Sequence, residues 1–519
     1  MAQIQVTDLT FCYEGSFDNI FENVSFSIDT DWKLGFIGRN GKGKTTFANL
    51  LLGKYEYRGR ITAPHLSFDY FPYQTEESDY DKTASELLEI WKSDIQEWRV
   101  ICELNQLDID ARVLYRPFQT LSQGEQMKVM LTVLFGGQNE FLIIDEPTNH
   151  LDFNARQTVK EYLKGKDGFI LISHDRDFLD AIVDHVLVLN RKSIEIQTGN
   201  FSGWWENKTR KDSFSKAENA KHLREIASLR RAADRSDRWA EKNENTKIGF
   251  DPIREHDRCK DTRAHIGAKT KKMQARKKGY DIRIEREIRA KQGLLLDMEN
   301  AADLKLMPQK YGKDTLIYAK DYSFRFTDQE LPLIRHFDFC LKQGERVFLQ
   351  GKNGCGKSTF IKQILAMSEE NDPGSREIKM GEASFVVSGE LKVGSGLHIS
   401  YINQDTGFLH GTIKAYCREK GFDESLFLAI LRQLDMDRVQ FEKPMENYSE
   451  GQKKKVLIAG SLLTPAHLYL WDEPLNYIDV FSRMQIENLI LKFRPTMLVV
   501  EHDVRFRDKI ATKIVEDFR

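Results

Sequence analysis

Apolar positions change rhythm along this chain, and the changes mark out its parts. From Met1 to Phe11 polar and apolar residues alternate as in a half-buried strand. Residues 1–30 read as short strands with a turn at Glu14-Gly15. Unbroken apolar runs follow at Leu34-Gly35-Phe36-Ile37, Phe141–Ile144 and Phe169–Ile172, the pattern of strands covered on both faces. Between about Arg210 and Asn300 the rhythm turns helical. Phe214 to Trp239 holds no proline or glycine, and apolar residues recur there at three- and four-residue steps, at Phe214, Ala217, Ala220, Leu223, Ile226 and Leu229, as in a helix. The cluster Ile248-Gly249-Phe250-Asp251-Pro252 breaks that helix. A return limb over about Thr262 to Met298 carries Ile284, Ile288, Leu295 and Met298 at helical spacing. Beyond it the short apolar runs begin again.

Each run leads into a motif that handles phosphate. Leu34–Ile37 enters Gly38-Arg39-Asn40-Gly41-Lys42-Gly43-Lys44-Thr45-Thr46, a G-x-x-x-x-G-K-[ST] loop. Its glycines let backbone N–H groups converge on phosphates, Lys44 neutralises their oxygens, and Thr45 is suited to ligate Mg²⁺. Phe141–Ile144 delivers Asp145 and Glu146 to the carboxyl edge of a sheet, one carboxylate to hold Mg²⁺ and one to orient and deprotonate an attacking water. Leu121-Ser122-Gln123-Gly124-Glu125 opens a helix, with Ser122 placed as N-cap and free N–H groups beside Gly124. Gln74 follows Tyr70-Phe71-Pro72-Tyr73, and His174 follows the predicted strand Phe169–Ile172.

The series then repeats: Gly351-Lys352-Asn353-Gly354-Cys355-Gly356-Lys357-Ser358-Thr359, Gln404, Ser449-Glu450-Gly451-Gln452, Asp472-Glu473 and His502. Gly38 to Gly351 is an offset of 313, whereas Ser122 to Ser449 and Asp145 to Asp472 are both 327. The second copy therefore carries an insertion, placed in the Gly- and Ser-rich run 371–396 and read as an extra hairpin. One departure stands out: Thr148-Asn149-His150-Leu151-Asp152 becomes Leu475-Asn476-Tyr477-Ile478-Asp479.

Charge changes the picture of the middle. Residues 201–310 hold 28 Lys and Arg against 18 Asp and Glu, while the whole chain is at −2, so the rest carries about −12. Lys269 to Lys278 is a run of six cations with no acid, suited to phosphate neutralisation. Trp239, Phe250 and His256 lie near the turn, where rings can stack on exposed bases, with Lys247 and Arg254 beside them. Lys271, Lys272, Lys277 and Lys278 are the candidate phosphate contacts on the return limb. The six cysteines are scattered without a C-x-x-C pair, so no disulfide or metal frame is read. The N-terminus shows no signal-peptide pattern, and the most apolar long window, Val456 to Trp471, is interrupted by Ser461, Thr464, Pro465 and His467. These features point to a cytoplasmic protein without a membrane span.

Phosphate loop, glutamine, L-S-Q-G-E, D-E-P and S-H-D occur in one order, return as phosphate loop, glutamine, Y-S-E-G-Q, D-E-P and E-H-D, and resemble the ATP-binding cassette (ABC) ATPases. The resemblance implies an α/β fold of two P-loop cassettes, with ATP and Mg²⁺ between the phosphate loop of one and the serine-glycine signature of the other. Site one would pair Gly38–Thr46, Asp145 and Glu146 with Ser449, Gly451 and Gln452; site two would pair Gly351–Thr359, Asp472 and Glu473 with Ser122, Gly124 and Glu125. It further implies Mg²⁺ ligation by Thr45, Gln74 and Asp145 and by Ser358, Gln404 and Asp472, with His174 and His502 on the γ-phosphate. Tyr13 or Phe11, and Phe326, would meet adenine, and Leu151-Asp152 would couple the sites. The charged linker and Gly199-Asn200-Phe201-Ser202-Gly203-Trp204-Trp205 resemble the ABC-F family of ribosome-associated ATPases, and L-N-Y-I-D its antibiotic-resistance, Lsa-like branch. That implies a monomer that binds the exit (E) site of the 70S ribosome, touching 23S rRNA and P-site tRNA and displacing lincosamides, pleuromutilins and streptogramin A. A housekeeping ABC-F translation factor is the alternative. The expected domains are 1–205, 206–312 and 313–519.

Overall fold

The computed structural model describes residues 3–13, 19–39, 43–79, 81–93, 95–137, 140–149, 151–189, 194–245, 278, 283, 305–327, 332–352, 354–369, 377–380 and 383–516. The chain falls into two compact units, residues 1–204 with 302–519, and residues 205–301.

The first unit holds two versions of one architecture. In the first half the strands are β1 (Gln3–Phe11), β2 (Phe21–Asp29), β3 (Lys33–Ile37), β4 (Arg58–Thr62), β5 (Ser67–Phe71), β6 (Glu140–Asp145), β7 (Phe169–Ile172), β8 (His185–Leu189) and β9 (Ile194–Thr198). An antiparallel sheet β2-β1-β4 lies beside a main sheet ordered β5-β6-β7-β3-β8-β9, parallel except for β9. The apolar runs predicted as strands are β3, β6 and β7, and their apolar residues are buried. The helix Lys44–Leu51, which starts at the phosphate loop, has Phe47 against Phe21 and Phe26 of β2 and Phe36 of β3. Burying one such ring is worth about 1.5–3 kcal/mol, so this contact anchors the loop's exit.

The second half repeats this with β10 (Thr315–Phe326), β11 (Ile334–Lys342), β12 (Arg346–Leu349), β13 (Glu377–Met380), β14 (Ala383–Val393), β15 (Ile399–Ile402), β16 (Leu468–Asp472), β17 (Met497–Val500) and β18 (Lys513–Val515). Its main sheet is β15-β16-β17-β12-β18, and its antiparallel sheet is β11-β10-β14-β13. β14 pairs with β10 as β4 pairs with β1. β13 is the added strand, antiparallel to β14. The insertion expected from the changed offset is this hairpin.

The halves touch through charged side chains on the helices that follow His174 and His502 and on the helix Val480–Phe493. Arg176, on the helix Arg176–Ile182, pairs with Glu487 of the helix Val480–Phe493, both buried, with one Nη–O distance of 3.3 Å. Lys509 reaches the same carboxylate at 3.0 Å. Arg505 donates to Ser202 Oγ at 3.0 Å and pairs with Asp180, whose other oxygen accepts from the Ser202 N–H at 2.7 Å. Ser202 lies in the first turn of the long linker helix.

That helix runs without interruption from Phe201 to Asn245, 45 residues, as the absence of breakers predicts. The recurring apolar residues do not share one buried face. Phe214, Ala217, Ala220 and Leu223 are exposed, Leu229 is partly covered and only Ile226 is buried. Steps of three lag a 3.6-residue turn by about 60° each, so six such positions wind nearly around the helix and share no face. Lys278 and Arg283 are helical and exposed. The Glu14-Gly15 turn, Asn40, Gly41, Asn353, the Trp239 side chain, Lys247, the breaker cluster with Phe250, Arg254, His256, Lys271, Lys272, Lys277 and the rest of the return limb lie outside the described residues.

Candidate functional site

Both phosphate loops sit at the carboxyl edge of their sheets, where β3 and β12 turn into a helix. Gly43 takes φ 113°, and a Cβ there would stand 2.6 Å from Ile20 Cγ2, so this turn needs glycine twice over. Gly356 repeats it at φ 98°. The Lys44 ammonium is buried and donates to the Gly38 carbonyl at 2.7 Å; Lys357 donates to the carbonyls of Gly351 at 2.9 Å and Lys352 at 2.8 Å. Burial lowers the Lys44 pKa against the opposing field of Asp479, Glu146 and Asp145. Thr45 is exposed, while Thr46 is buried and lies 2.7 Å from the Tyr13 hydroxyl. Of the two adenine-side candidates Phe11 is buried and Tyr13 is 41% exposed, so Tyr13 is the accessible ring. Ser358 and Thr359 are partly covered, and Gly354 is exposed.

The paired carboxylates end β6 and β16. Glu146 and Glu473 both adopt the left-handed region, at φ 50° and 47°, where a residue with a side chain costs of order 1–3 kcal/mol and is found mostly at functional positions. Their N–H groups are fixed by Ile172 O at 2.8 Å and Val500 O at 2.9 Å, the last carbonyls of the neighbouring strands. Burial, then the field of Asp145, pushes Glu146 up to about 8. His174 Nε2 is 3.4 Å from Glu146 and His502 Nε2 is 3.8 Å from Glu473. Burial drives both histidines down, His502 to about 3, so each ring is neutral at ordinary pH.

The two sites differ in detail. Asp145 accepts a 2.7 Å hydrogen bond from Tyr70, and Gln74 is exposed. In the second half Gln404 Nε2 donates to Glu473 at 3.0 Å and Asn476 Nδ2 at 2.7 Å. Asp472 is fully buried without a well-formed donor to either oxygen; burial raises it to about 6, and the Ser358 hydroxyl faces it. A buried, under-satisfied carboxylate facing a hydroxyl, which itself lines one cavity with the Gln404 amide, is a donor set that fits a hard divalent cation completed by phosphate oxygens.

Ser122 and Ser449 are the expected N-caps, each in a reciprocal capping box with Glu125 or Gln452. The Glu125 carboxylate accepts from the Ser122 N–H and hydroxyl, both at 2.8 Å, so it holds the signature turn in shape. Gly124 is partly covered, and a Cβ on Gly451 would lie 2.7 Å from Tyr477 O. A cavity of about 450 Å³ is lined by Phe326, Lys357, Ser358, Gln404 and Glu473 from the second half and by Gln123, next to Ser122, from the first. The signature of one half thus meets the phosphate loop of the other. Leu151 is buried, and Asp152 caps its helix through Ala155 N at 2.9 Å, as Asp479 does through Ser482 N at 3.0 Å.

Sequence reasoning passed over Tyr70, Asn476, and the charged pairs between halves. Tyr70 and Asn476 lie within four residues of Gln74 and Glu473, which is signal enough to single them out. The inter-half pairs carry no local pattern.

The fold and its two facing sites define a tandem ATP-binding cassette protein. Residues 21–149 and 334–476, more than half the chain, match the family described as ABC transporter, and the chain belongs to that family. It is similar over nearly its whole length to the ribosome protection protein VmlR of Bacillus subtilis, at 25% identity over 97% of this chain and 85% of that one. The energy-dependent translational throttle protein EttA of Haemophilus influenzae is 25% identical over 96% and 89%. The solved structure described as RNase-L Inhibitor shares the fold, with a TM-score of 0.59 at 18% identity over 98% of this chain and 87% of that one. Among the described residues no helix is long and apolar enough to cross a membrane.

Proposed function

We propose that this chain is a ribosome-binding ATPase of the ABC-F type that protects the ribosome from antibiotics. The observation that carries this reading is the pairing of two complete cassettes with an uninterrupted 45-residue charged helix. On that helix Arg231, Arg235 and Arg238 are exposed at spacings of four and three, a cationic stripe matched to a phosphate backbone. The likeness to VmlR favours protection; the likeness to EttA favours a translation factor, the second reading.

In this reading Glu146 and Glu473 organise the attacking water, His174 and His502 attend the γ-phosphate, and the signatures around Ser122 and Ser449 cover ATP from the opposite half. Thr45, Gln74 and Asp145, and Ser358, Gln404 and Asp472, would hold Mg²⁺, which supplies charge neutralisation at the phosphates. Because burial and Asp145 push Glu146 up to about 8, kcat/KM of the Glu473→Gln variant should fall as pH drops below about 8, where the base is protonated, and level above it. A kcat/KM profile already flat from about pH 6 would show that Glu146 is ionised there despite its burial.

In this reading the linker enters the E site and its 245–255 segment acts near the peptidyl-transferase centre, where lincosamides, pleuromutilins and streptogramin A bind. Replacing Arg231, Arg235 and Arg238 by Gln should weaken ribosome co-sedimentation and flatten its log–log salt slope by roughly 2–3. Shortening 245–255 to a minimal turn should abolish drug protection in a susceptible host while ribosome binding persists. Full protection by the shortened form, or altered basal growth without altered drug susceptibility, would favour the translation-factor reading.

A further inference from the structure

The second residue of each phosphate loop lies outside the phosphate-binding pattern, and in the first half it is committed elsewhere. The Arg39 guanidinium donates to Asp435 Oδ1 of the second half at 3.0 Å and stands 5.8 Å over the Phe481 ring. Asp435 is no ordinary surface acid. It occupies a left-handed corner at φ 62°, directly after the helix Glu424–Gln433 and its cap Leu434. Buried Lys455, on the signature helix Glu450–Leu463, donates to the Asp435 carbonyl at 3.4 Å and pairs with buried Asp479 at 3.4 Å. The corner is thereby tied to both the signature helix and the residue that ends Leu475–Asp479.

The duplication supplies a second copy of each part. Lys352 stands where Arg39 does, and Asp108, at φ 55°, stands where Asp435 does, 327 residues earlier. Lys128 of the first signature helix holds this corner through Leu107 O at 3.1 Å. Here the pair is not made: Lys352 and Asp108 line one cavity of about 780 Å³ together with Ser122, Gly124 and Asp152. One set of residues is joined in one copy and separated in the other.

We propose that Arg39 and Lys352 are positioning residues, each tying its phosphate loop to the aspartate corner of the opposite cassette, and that the Lys352–Asp108 pair forms as ATP draws the second site together. The inference rests on the ATPase reading and goes beyond it in assigning two ion pairs outside the shared motifs. Arg39 brings a planar fork that fits both carboxylate and ring, whereas Lys352 is a point charge on a flexible stem. The first site is therefore held even before nucleotide acts, and the second depends on nucleotide to close.

Charge exchange tests the proposal in the full chain, with the sites separated by Glu473→Gln or Glu146→Gln. In the Glu473→Gln form, Arg39→Asp or Asp435→Arg alone should raise KM for ATP by about tenfold or more, with a smaller change in kcat. The exchanged pair together should return KM to within about threefold of its parent, since opposite charges again face each other. Lys352→Asp with Asp108→Lys should behave alike in the Glu146→Gln form. A thiol cross-linker applied to Lys352→Cys/Asp108→Cys, with Cys355→Ala, should join the pair only with ATP and Mg²⁺, whereas Arg39→Cys/Asp435→Cys should be joined with or without them. Exchanged pairs no better than single reversals, or nucleotide-independent joining at the second site, would overturn it. If the parent forms hydrolyse no ATP at all, it is the ATPase reading that fails.

Discussion

Replacing both glutamates, Glu146→Gln with Glu473→Gln, is expected to lower ATP turnover by on the order of 10²-fold or more while leaving nucleotide binding intact. The substitution keeps side-chain volume and the left-handed backbone at both positions. In the second site the new amide oxygen still accepts from Gln404 and Asn476, which now donate to Glu473 Oε2. Only the proton-accepting carboxylate is removed. Lys44, Lys357, Asp145 and Asp472 remain to hold nucleotide and metal, so ATP should still close the cassettes and not be consumed. Under the proposed function, this variant should accumulate on ribosomes in the presence of ATP. Single-turnover hydrolysis together with filter-bound nucleotide separates the two effects. Near-normal turnover would move the base elsewhere, and loss of ATP binding would show the carboxylates to be structural.

The second large effect is expected from Arg176→Met. Glu487 is fully buried, and its carboxylate depends on Arg176 from the other cassette and on Lys509 from its own. Removing one partner of a buried pair leaves charge without compensation and costs roughly 3–5 kcal/mol. Lys509 remains, so the lower end applies, and a thermal melt should move down by several degrees. Arg176→Met with Glu487→Met removes both charges and fills the space, and it should recover most of the loss or exceed the parent. The two melts, with Glu487→Met alone, close a double-mutant cycle. Additive shifts would mean that the residues do not act as a pair.

Much of this was legible before any coordinates, because it is local. A four-residue apolar run followed by two acids states a buried strand and its exit, and β6 with Asp145 and Glu146 is what that run forms. Ser122 followed three residues later by Glu125 states a capping box, and that box forms, with the Glu125 carboxylate on its own turn. The extra hairpin β13–β14 was legible only as arithmetic, from two offsets that disagreed. The spacing of the linker's apolar residues states a helix but no buried face, because residues three apart look periodic yet drift around the helix. Arg176 and Glu487, 311 positions apart, share no local signal whatever. Nor does any pattern announce that Arg39 turns from its own phosphate loop to Asp435, 396 residues on.

The pairing of the halves through Arg176, Glu487, Arg505 and Asp180 also sets the molecularity of the reaction. Separate ATPase subunits must find each other, so their turnover carries a concentration term. Here the partner is always present at an effective concentration of order millimolar, as for modules on one chain. Under the proposed function each nucleotide event is then expected to be a first-order rearrangement inside a single molecule, at a rate that dilution leaves unchanged.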